Sequence, residues 1–281
     1  MRNIDWAEAF ERSRRSFDKG APGSEESRAN WDAKAAGFAH KPKRSDYIFQ
    51  LIEHLGLGEG ETVFDMGCGS GTLAVPLAEA GHEVFAVDFS RGMLDELERT
   101  ASERGVLDRI SVFQRSWQED LSDLPMADVS LSSRSFFTDD LADGIAKLEA
   151  HARDRVFLTC GAGDLPYRDA RVFEAMGRTK DVVMFPQELM TIANYLWSTG
   201  RMPRIDYIEY PGVWHRKTRV ELEATIREAH KPETAEEEQR LAAFLVAHII
   251  EDASNGWWTL DKPRQDRWAV ISWKVQDNSC R

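Results

Sequence analysis

Apolar residues in the first 160 positions follow two alternating patterns, short runs typical of strands and a three-to-four-residue spacing typical of helices. The short runs predict strands at 63–65, 84–88, 110–113, 127–133 and 155–160. The longer spacing predicts helices at 45–57, 72–80, 90–101 and 140–152. Strands that alternate with helices favour a doubly wound α/β sheet, in which ligands bind at the carboxyl ends of the strands.

The pattern outside these residues is less regular. Residues 1–45 predict helices and loops that stand outside the sheet as a cap, and 164–204 predict a helical insertion with no strand. Alternation at 205–210 predicts a strand that continues through 213–218. Helices at 219–229 and from 232 onwards then lead to a last strand at 267–275. We therefore divide the chain into a cap (1–45), a core (46–163), the insertion (164–204) and a C-terminal segment (205–281) that completes the same domain.

A glycine-rich turn follows the first predicted strand. Asp65 ends the strand, and Gly67, Gly69 and Gly71 allow the backbone to adopt positive φ and to lie directly against a ligand. The next helix directs its free N–H groups at whatever the turn holds. A dinucleotide fingerprint would require a glycine where Thr72 stands, and no lysine follows to make a P-loop. A carboxylate at this turn repels pyrophosphate and attracts an ammonium or sulfonium group.

A second acid, Asp88, ends the second predicted strand. It follows Gly67 at nearly the spacing at which a carboxylate meets a ribose in βαβ nucleotide folds. A carboxylate accepts two hydroxyl donors at once, which suits a vicinal diol. Ser90 is predicted to cap the helix that follows.

The residues Asp65-x-Gly67-x-Gly69-x-Gly71, followed by Asp88-Phe-Ser-x-x-Met-Leu, resemble the first two motifs of the class I S-adenosylmethionine (SAM)-dependent methyltransferases. The resemblance covers roughly residues 45–160. It implies a Rossmann-like seven-stranded sheet, mostly parallel with a late antiparallel strand, together with an N-terminal helical cap and a helical insertion. It also implies SAM as cofactor, S-adenosylhomocysteine as product and in-line transfer of the methyl group.

The resemblance also implies where the cofactor binds. Asp65 would face the methionine end of SAM, Asp88 the ribose, and Phe89 and Met93 the adenine. Ser116 stands where the family often has an aspartate for the adenine amino group. The residues predicted to bind the cofactor are Asp65, Gly67, Cys68, Gly69, Asp88, Phe89, Met93, Ser116, Trp117 and Ser133.

The end of the fourth predicted strand would face the transferred methyl group. The Asn/Asp-Pro-Pro-Tyr motif of many nucleic-acid and protein N-methyltransferases is absent there, and Arg134 stands in that segment. Arg134 could bind a substrate carboxylate, or pair with Asp139 or Asp140. The candidate general base is His215, because its ordinary pKa lies near neutrality. The predicted substrate residues are Trp31, Tyr47, Arg134, Tyr195 and Trp214.

The composition of the chain limits the kinds of partner that it is expected to bind. The net charge of −12 argues against a general nucleic-acid or anionic-membrane surface. Cys68, Cys160 and Cys280 are far apart, so we predict neither a disulfide framework nor a metal site. The first residues contain no apolar segment typical of a signal peptide, and 241–250 is too short to span a bilayer. We expect a cytoplasmic protein with no nucleic-acid or membrane partner.

The leading hypothesis is a SAM-dependent methyltransferase that acts on a small molecule. Two alternatives remain, a SAM-binding regulatory module without catalysis and an NAD-dependent oxidoreductase. Thr72 disfavours the latter, because it replaces the third glycine of the dinucleotide fingerprint.

Overall fold

The computed structural model describes residues 4–14, 24–38, 46–162, 168–178 and 187–275. The strands in this part of the chain are β1 (Val63–Met66), β2 (Val84–Asp88), β3 (Ile110–Gln114), β4 (Ala127–Ser133), β5 (Ala152–Gly161), β6 (Arg204–Gly212), β7 (Ile249–Asp252), β8 (Trp257–Leu260) and β9 (Arg264–Lys274). The helices are α1 (Trp6–Arg14), α2 (Glu25–Phe38), α3 (Asp46–Leu55), α4 (Ala74–Glu79), α5 (Arg91–Arg104), α6 (Leu141–Ala150), α7 (Ala170–Met176), α8 (Gln187–Ser198), α9 (Arg219–His230) and α10 (Ala235–His248).

Seven strands form one sheet in the order β3-β2-β1-β4-β5-β9-β6. Strands β1 to β5 pair in parallel. The last strand runs the other way, because Ala162 bonds to Arg267 at one end of the β5–β9 pair and Val275 bonds to Asp154 at the other. The predicted sheet, mostly parallel with a late antiparallel strand, is confirmed.

The sheet is buried because its central strands are apolar on both faces, as parallel strands covered by helices must be. All four residues of β1 are buried. Helix α3 packs through Tyr47, Ile48, Leu51 and Leu55, and α5 packs through an apolar face that includes Leu94 and Leu97. The strand order reverses between β1 and β4, and ligands bind at such a switch point beyond the carboxyl ends of the strands.

The chain divides into two compact units. The first comprises Met1–Cys160, Glu188–Asp206 and Ala269–Arg281, and the second comprises Gly161–Gln187 and Tyr207–Trp268. The second unit has a core of its own in which α7, α9, α10 and the β7–β8 hairpin meet. The segment boundaries predicted from the sequence, namely 1–45, 46–163, 164–204 and 205–281, remain a prediction about domains.

One expectation for the C-terminal segment is wrong, and one element of it was missed. The strand predicted through 213–218 does not form, because β6 ends at Gly212 and Arg216 instead makes an isolated bridge to Trp258. The β7–β8 hairpin was not predicted. Its turn is fixed by Asp252, whose carboxylate accepts bonds from Ser254 and Asn255, and by Gly256 at φ +71°.

Two further properties concern the described residues only. None of their helices is long and apolar enough to cross a membrane. Within the same ranges, no three His, Cys, Asp or Glu side chains are grouped as a metal site requires.

Candidate active site

The glycine-rich turn joins β1 to α4 and keeps one side of its backbone open. Gly67 and Cys68 donate their N–H groups to the Val87 carbonyl at 2.7 and 3.0 Å, which anchors the turn to β2. Gly67 has φ +82°, and a Cβ there would lie 2.4 Å from the Cβ of Ser135. Gly69 has φ +55°, and no atom outside its chain neighbours lies within 4 Å of where its Cβ would be. The turn therefore needs Gly67 for packing, while Gly69 leaves room for a ligand against the backbone.

Asp88 is held in one orientation by the same turn. Its Oδ2 accepts the Gly69 N–H and its Oδ1 accepts the Ser90 N–H, both at 2.9 Å. Burial raises the pKa of this carboxyl group, while the backbone hydrogen bonds oppose the increase. Ser90 also caps α5 as predicted, since its Oγ accepts the Met93 N–H. The Asp88 carboxylate is thus fixed beside the turn before any ligand binds.

Asp65 is the other acid at this edge, and its environment is different. The side chain is 1% exposed, and its buried Oδ2 has no hydrogen-bond partner. Burial, and then the charge of Asp88, raise the pKa of Asp65 to about 7. A buried polar atom without a partner costs roughly 1–3 kcal/mol, so such atoms need an explanation. A ligand that brings a hydrogen-bond donor or a positive charge to this oxygen would explain why it has no partner within the protein.

The predicted adenine-side residues surround the ends of β2 and β3. Phe89 is half-buried, and its carbonyl accepts a bond from Gln114 at 3.3 Å. Met93 is buried on the apolar face of α5. Ser116 is buried, and its N–H donates to the Glu119 carboxylate at 2.6 Å.

Two other predicted cofactor residues are also buried. Trp117 donates its indole N–H to the Ser135 carbonyl at 2.8 Å, and its ring packs edge-on against Phe136. Cys68 is buried, and burial raises the pKa of its thiol well above the ordinary value, so the thiol is neutral.

The end of β4 is tied to β5 and α3 through hydroxyl groups. The Tyr47 hydroxyl lies 2.9 Å from the Ser133 Oγ and 2.8 Å from the Thr159 Oγ1. The Thr159 Oγ1 also accepts the Arg134 N–H at 2.9 Å. The Arg134 guanidinium carbon lies 4.0 Å from the centre of the Tyr47 ring. Tyr47 is fully buried, so it acts here as a platform beneath Arg134.

Helix α2 lies against the carboxyl edge of the sheet. The Asp32 Oδ1 accepts the Ser90 hydroxyl at 2.5 Å and the Gly92 N–H at 3.0 Å, at the start of α5. One residue earlier, the Trp31 ring lies 6.3 Å from the Phe137 ring, in the segment that follows β4. The helix therefore spans from the Asp88 side of this edge to the side where β4 ends.

Of the other three predicted residues, one belongs to the first unit and two to the second. Tyr195 lies on α8, in the first unit. Burial raises its pKa, and the charges around it include Arg201 and Asp140. Asp140 caps the start of α6, at the end of the segment that follows β4. Trp214 is packed in the core of the second unit, and His215, also in that unit, is exposed with its Nε2 4.0 Å from Asp252. Their predicted roles stay predictions.

Sequence reasoning missed three residues that organise this edge. Ser135 fills the space above Gly67, and its Oγ donates to the Met66 carbonyl at 2.9 Å. Thr159 links β5 to β4 and α3, and Asp32 holds α2 on α5. No local pattern marks them, because each contacts residues that are distant along the chain.

The strand order, the acid-ended glycine turn and the second acid at the end of β2 together define the class I SAM-dependent methyltransferases. The chain belongs to this family, is an enzyme of this class and uses SAM. A sequence family described as "Methyltransferase domain" matches residues 63–155.

The chain is also similar to particular proteins. An uncharacterized protein of Haemophilus influenzae is 37% identical over 250 residues, which are 87% of this chain and 88% of that one. The cypemycin N-terminal methyltransferase of a Streptomyces species is 33% identical over 129 residues, 46% of this chain and 50% of that one. A Geobacter sulfurreducens SAM-dependent methyltransferase, solved with S-adenosylhomocysteine, shares the fold with a TM-score of 0.50 and 17% identity, over 86% of this chain and 96% of that one.

The acceptors in the names of the relatives differ in class. A match over 167 residues is to a Pseudomonas putida protein named as a methyltransferase of 23S rRNA uracil, and one over 121 residues is to an Arabidopsis thaliana protein named as a methyltransferase of magnesium protoporphyrin IX. The family therefore establishes the cofactor and the enzyme class, and leaves a nucleic-acid acceptor open.

The residues at the carboxyl edge fit SAM. The buried Oδ2 of Asp65 has no hydrogen-bond partner in the protein. The ammonium group of the cofactor would donate a hydrogen bond to it. The ribose diol of the cofactor suits the fixed carboxylate of Asp88. The open space beside Gly69 accommodates a group that lies against the backbone.

Proposed function

We propose that this enzyme transfers the methyl group of SAM to a small-molecule acceptor enclosed beneath α2. The proposal rests on the two contacts that hold α2 over the carboxyl edge. Asp32 accepts hydrogen bonds from the start of α5, and the Trp31 ring packs near Phe137 in the segment that follows β4. A helix in this position covers the edge, so a folded RNA could reach it only if α2 moved away. The net charge of −12 also disfavours a polyanionic acceptor.

Within this proposal Asp65 binds the ammonium group of the methionine end and Asp88 binds the ribose hydroxyls. The backbone of Gly67, Cys68 and Gly69 lies along the cofactor, with Ser133 near its reactive end. The adenine side is formed by Phe89, Met93, Ser116 and Trp117. The desolvated Asp65 and the oriented Asp88 support these assignments, because both are arranged before the ligand binds.

Bound SAM supplies an electrophilic methyl group and a neutral thioether leaving group. The protein has to hold the acceptor atom in line with the methyl group and to keep water out. Helix α2 and the segment after β4 are suited to both tasks. An acceptor with an acidic proton also needs a base, and His215 keeps that role as a proposal.

A labelled-methyl assay tests the proposal. The full chain is incubated with methyl-labelled SAM and panels of small amines, phenols, thiols and carboxylates, with total cellular RNA in a parallel reaction. We expect label to enter at least one small-molecule panel, and Asp88→Ala to lose the transfer. Label that enters RNA alone would show that the small-molecule assignment is wrong.

A further inference from the structure

Arg134 has a backbone conformation that is unusual for its residue type. Among the described non-glycine residues only Arg134 and Lys231 have positive φ, at +59° and +45°. Lys231 caps the end of α9, where a left-handed residue is ordinary. Arg134 instead follows a strand, where its Cβ makes this conformation unfavourable.

The turn itself has a structural purpose, but that purpose does not require an arginine. The reversal at Arg134 brings Ser135 onto Gly67, where its Oγ bonds to the Met66 carbonyl. A glycine would make the same turn without the steric cost. What the arginine adds is its side chain, and unfavourable backbone conformations often persist where the residue has a function.

The structure holds this side chain in place. The Arg134 N–H is bound by Thr159, and its guanidinium lies 4.0 Å above the ring of Tyr47. Tyr47 is fully buried and is itself fixed through its hydroxyl by Ser133 and Thr159. The arginine therefore rests on a rigid base, which reduces the conformational entropy lost when it binds a ligand.

The position of Arg134 favours the acceptor over the cofactor. Asp65 of β1 is level with Leu131 of β4. Arg134 follows directly after the end of β4 at Ser133. Asp65 faces the methionine end in the proposed function, whereas the end of β4 would face the transferred methyl group and the acceptor beyond it.

We propose that the acceptor carries an oxyanion, a carboxylate or a phosphate, and that Arg134 binds it. The inference rests on the proposed function. The N–H donors of a guanidinium lie in its plane and form a fork that matches two oxygens at once, and the stack on Tyr47 orients that plane. Without this cation, an anion would meet an edge that contains Asp65 and Asp88 in a chain of net charge −12.

Binding to the chain loaded with S-adenosylhomocysteine is the first test, and it does not require the natural acceptor. Benzoate and inorganic phosphate are titrated by calorimetry, with benzamide as the neutral match for benzoate. We expect the wild type to bind at least one oxyanion and not benzamide, and the preferred anion identifies which oxyanion the site takes. Arg134→Gln should weaken that binding about 10- to 100-fold, and Arg134→Lys should recover only part of it.

Two further variants act as controls. Arg153→Gln removes an exposed arginine at the start of β5, where it pairs with Asp128, and should leave oxyanion binding unchanged. Arg134→Gly relieves the backbone conformation, so it should fold with an undiminished melting temperature and still lose the oxyanion. Oxyanion binding that persists in a folded Arg134→Gly or Arg134→Gln chain overturns the inference.

The affinity for S-adenosylhomocysteine separates this inference from the proposed function. We expect that affinity to stay within about twofold in Arg134→Gln. An equal loss of cofactor and oxyanion binding would mean that Arg134 holds the carboxylate of the cofactor, and the acceptor inference would be wrong. If label enters only RNA, the proposed function fails, whereas the oxyanion titration still gives its own result.

Discussion

Two carboxylates at the ends of neighbouring strands have opposite surroundings. Asp88 accepts bonds from Gly69 and Ser90, whereas the buried Oδ2 of Asp65 has no partner. The first is therefore oriented by hydrogen bonds that partly offset the effect of burial on its pKa, and the second is held in a state that a cationic ligand would relieve. Their contributions to cofactor binding can be separated by experiment.

Replacement of Asp88 tests the assignment to the ribose. Asp88→Ala should weaken binding of S-adenosylhomocysteine by about 1–3 kcal/mol, because the hydroxyls would lose their acceptor. Asp95→Ala removes an exposed carboxylate of α5, the helix that follows Asp88, and should have no effect. Calorimetry measures both, and an unchanged affinity in Asp88→Ala would remove Asp88 from the site.

The raised pKa of Asp65 predicts that cofactor binding depends on pH. The free protein holds a proton on Asp65 up to about pH 7, and the ammonium of the cofactor requires the ionised form. Binding must therefore release a proton below pH 7, so affinity should rise about tenfold per pH unit from pH 5 to 7 and then level off. Asp65→Asn should bind weakly with a flat profile, and an equal slope in this variant would rule out Asp65 as the source.

The same pKa has the opposite effect on the stability of the free protein. An Asp65 carboxyl group ionises near pH 4 in the unfolded chain and near pH 7 in the folded chain. Between these values only the folded state holds the proton, so this group makes unfolding easier as pH rises. Above pH 7, Asp65→Asn should unfold at higher urea concentration than the wild type. A lower midpoint would show that the carboxylate has partners in the folded chain.

At the level of elements, the contact between α2 and α5 depends on the small size of Gly92. A Cβ at Gly92 would lie 3.1 Å from the Cα of Asp32 and 3.2 Å from its Oδ1. Gly92→Ala should favour α5 by its helix propensity, by up to about 1 kcal/mol, but should displace α2. We expect limited proteolysis to cleave α2 faster in this variant.

A matched variant separates the two effects of this substitution. Ser102 is exposed on the same helix, so Ser102→Ala also changes helix propensity while leaving the contact with α2 intact. Its proteolysis should match the wild type. Equal protection of α2 in Gly92→Ala would show that the helix adapts without leaving α5.

For the whole molecule, cofactor binding should raise thermal stability in a ligand-specific way. A ligand that binds only the folded chain stabilises it by about 2.7 kcal/mol at 100 times its dissociation constant. SAM and S-adenosylhomocysteine should therefore raise the melting temperature, whereas NAD should not, because its pyrophosphate would meet Asp65. A shift with NAD alone would contradict the assigned cofactor site.

The sequence predicted most of the first unit correctly for a local reason. Strand β4 was predicted at 127–133 and forms at Ala127–Ser133, and the helix predicted at 140–152 forms at Leu141–Ala150. Periodicity and helix caps are properties of neighbouring residues, so the chain itself displays them. The hairpin β7–β8 was missed because its strands are short and follow α10 without a break in the apolar pattern.

The sequence by itself determined the sheet, the glycine turn and the two acids, because backbone freedom at glycine and alternation along a strand are encoded within a few residues. Only the tertiary structure decided that Asp65 lacks a partner at Oδ2, that Ser135 covers Gly67, and that Tyr47 supports Arg134. The contacts that hold Ser135 and Tyr47 in place, to Met66 and to Thr159, join residues 69 and 112 positions apart along the chain. Their packing sets burial and charge, and thereby the chemistry available at this edge.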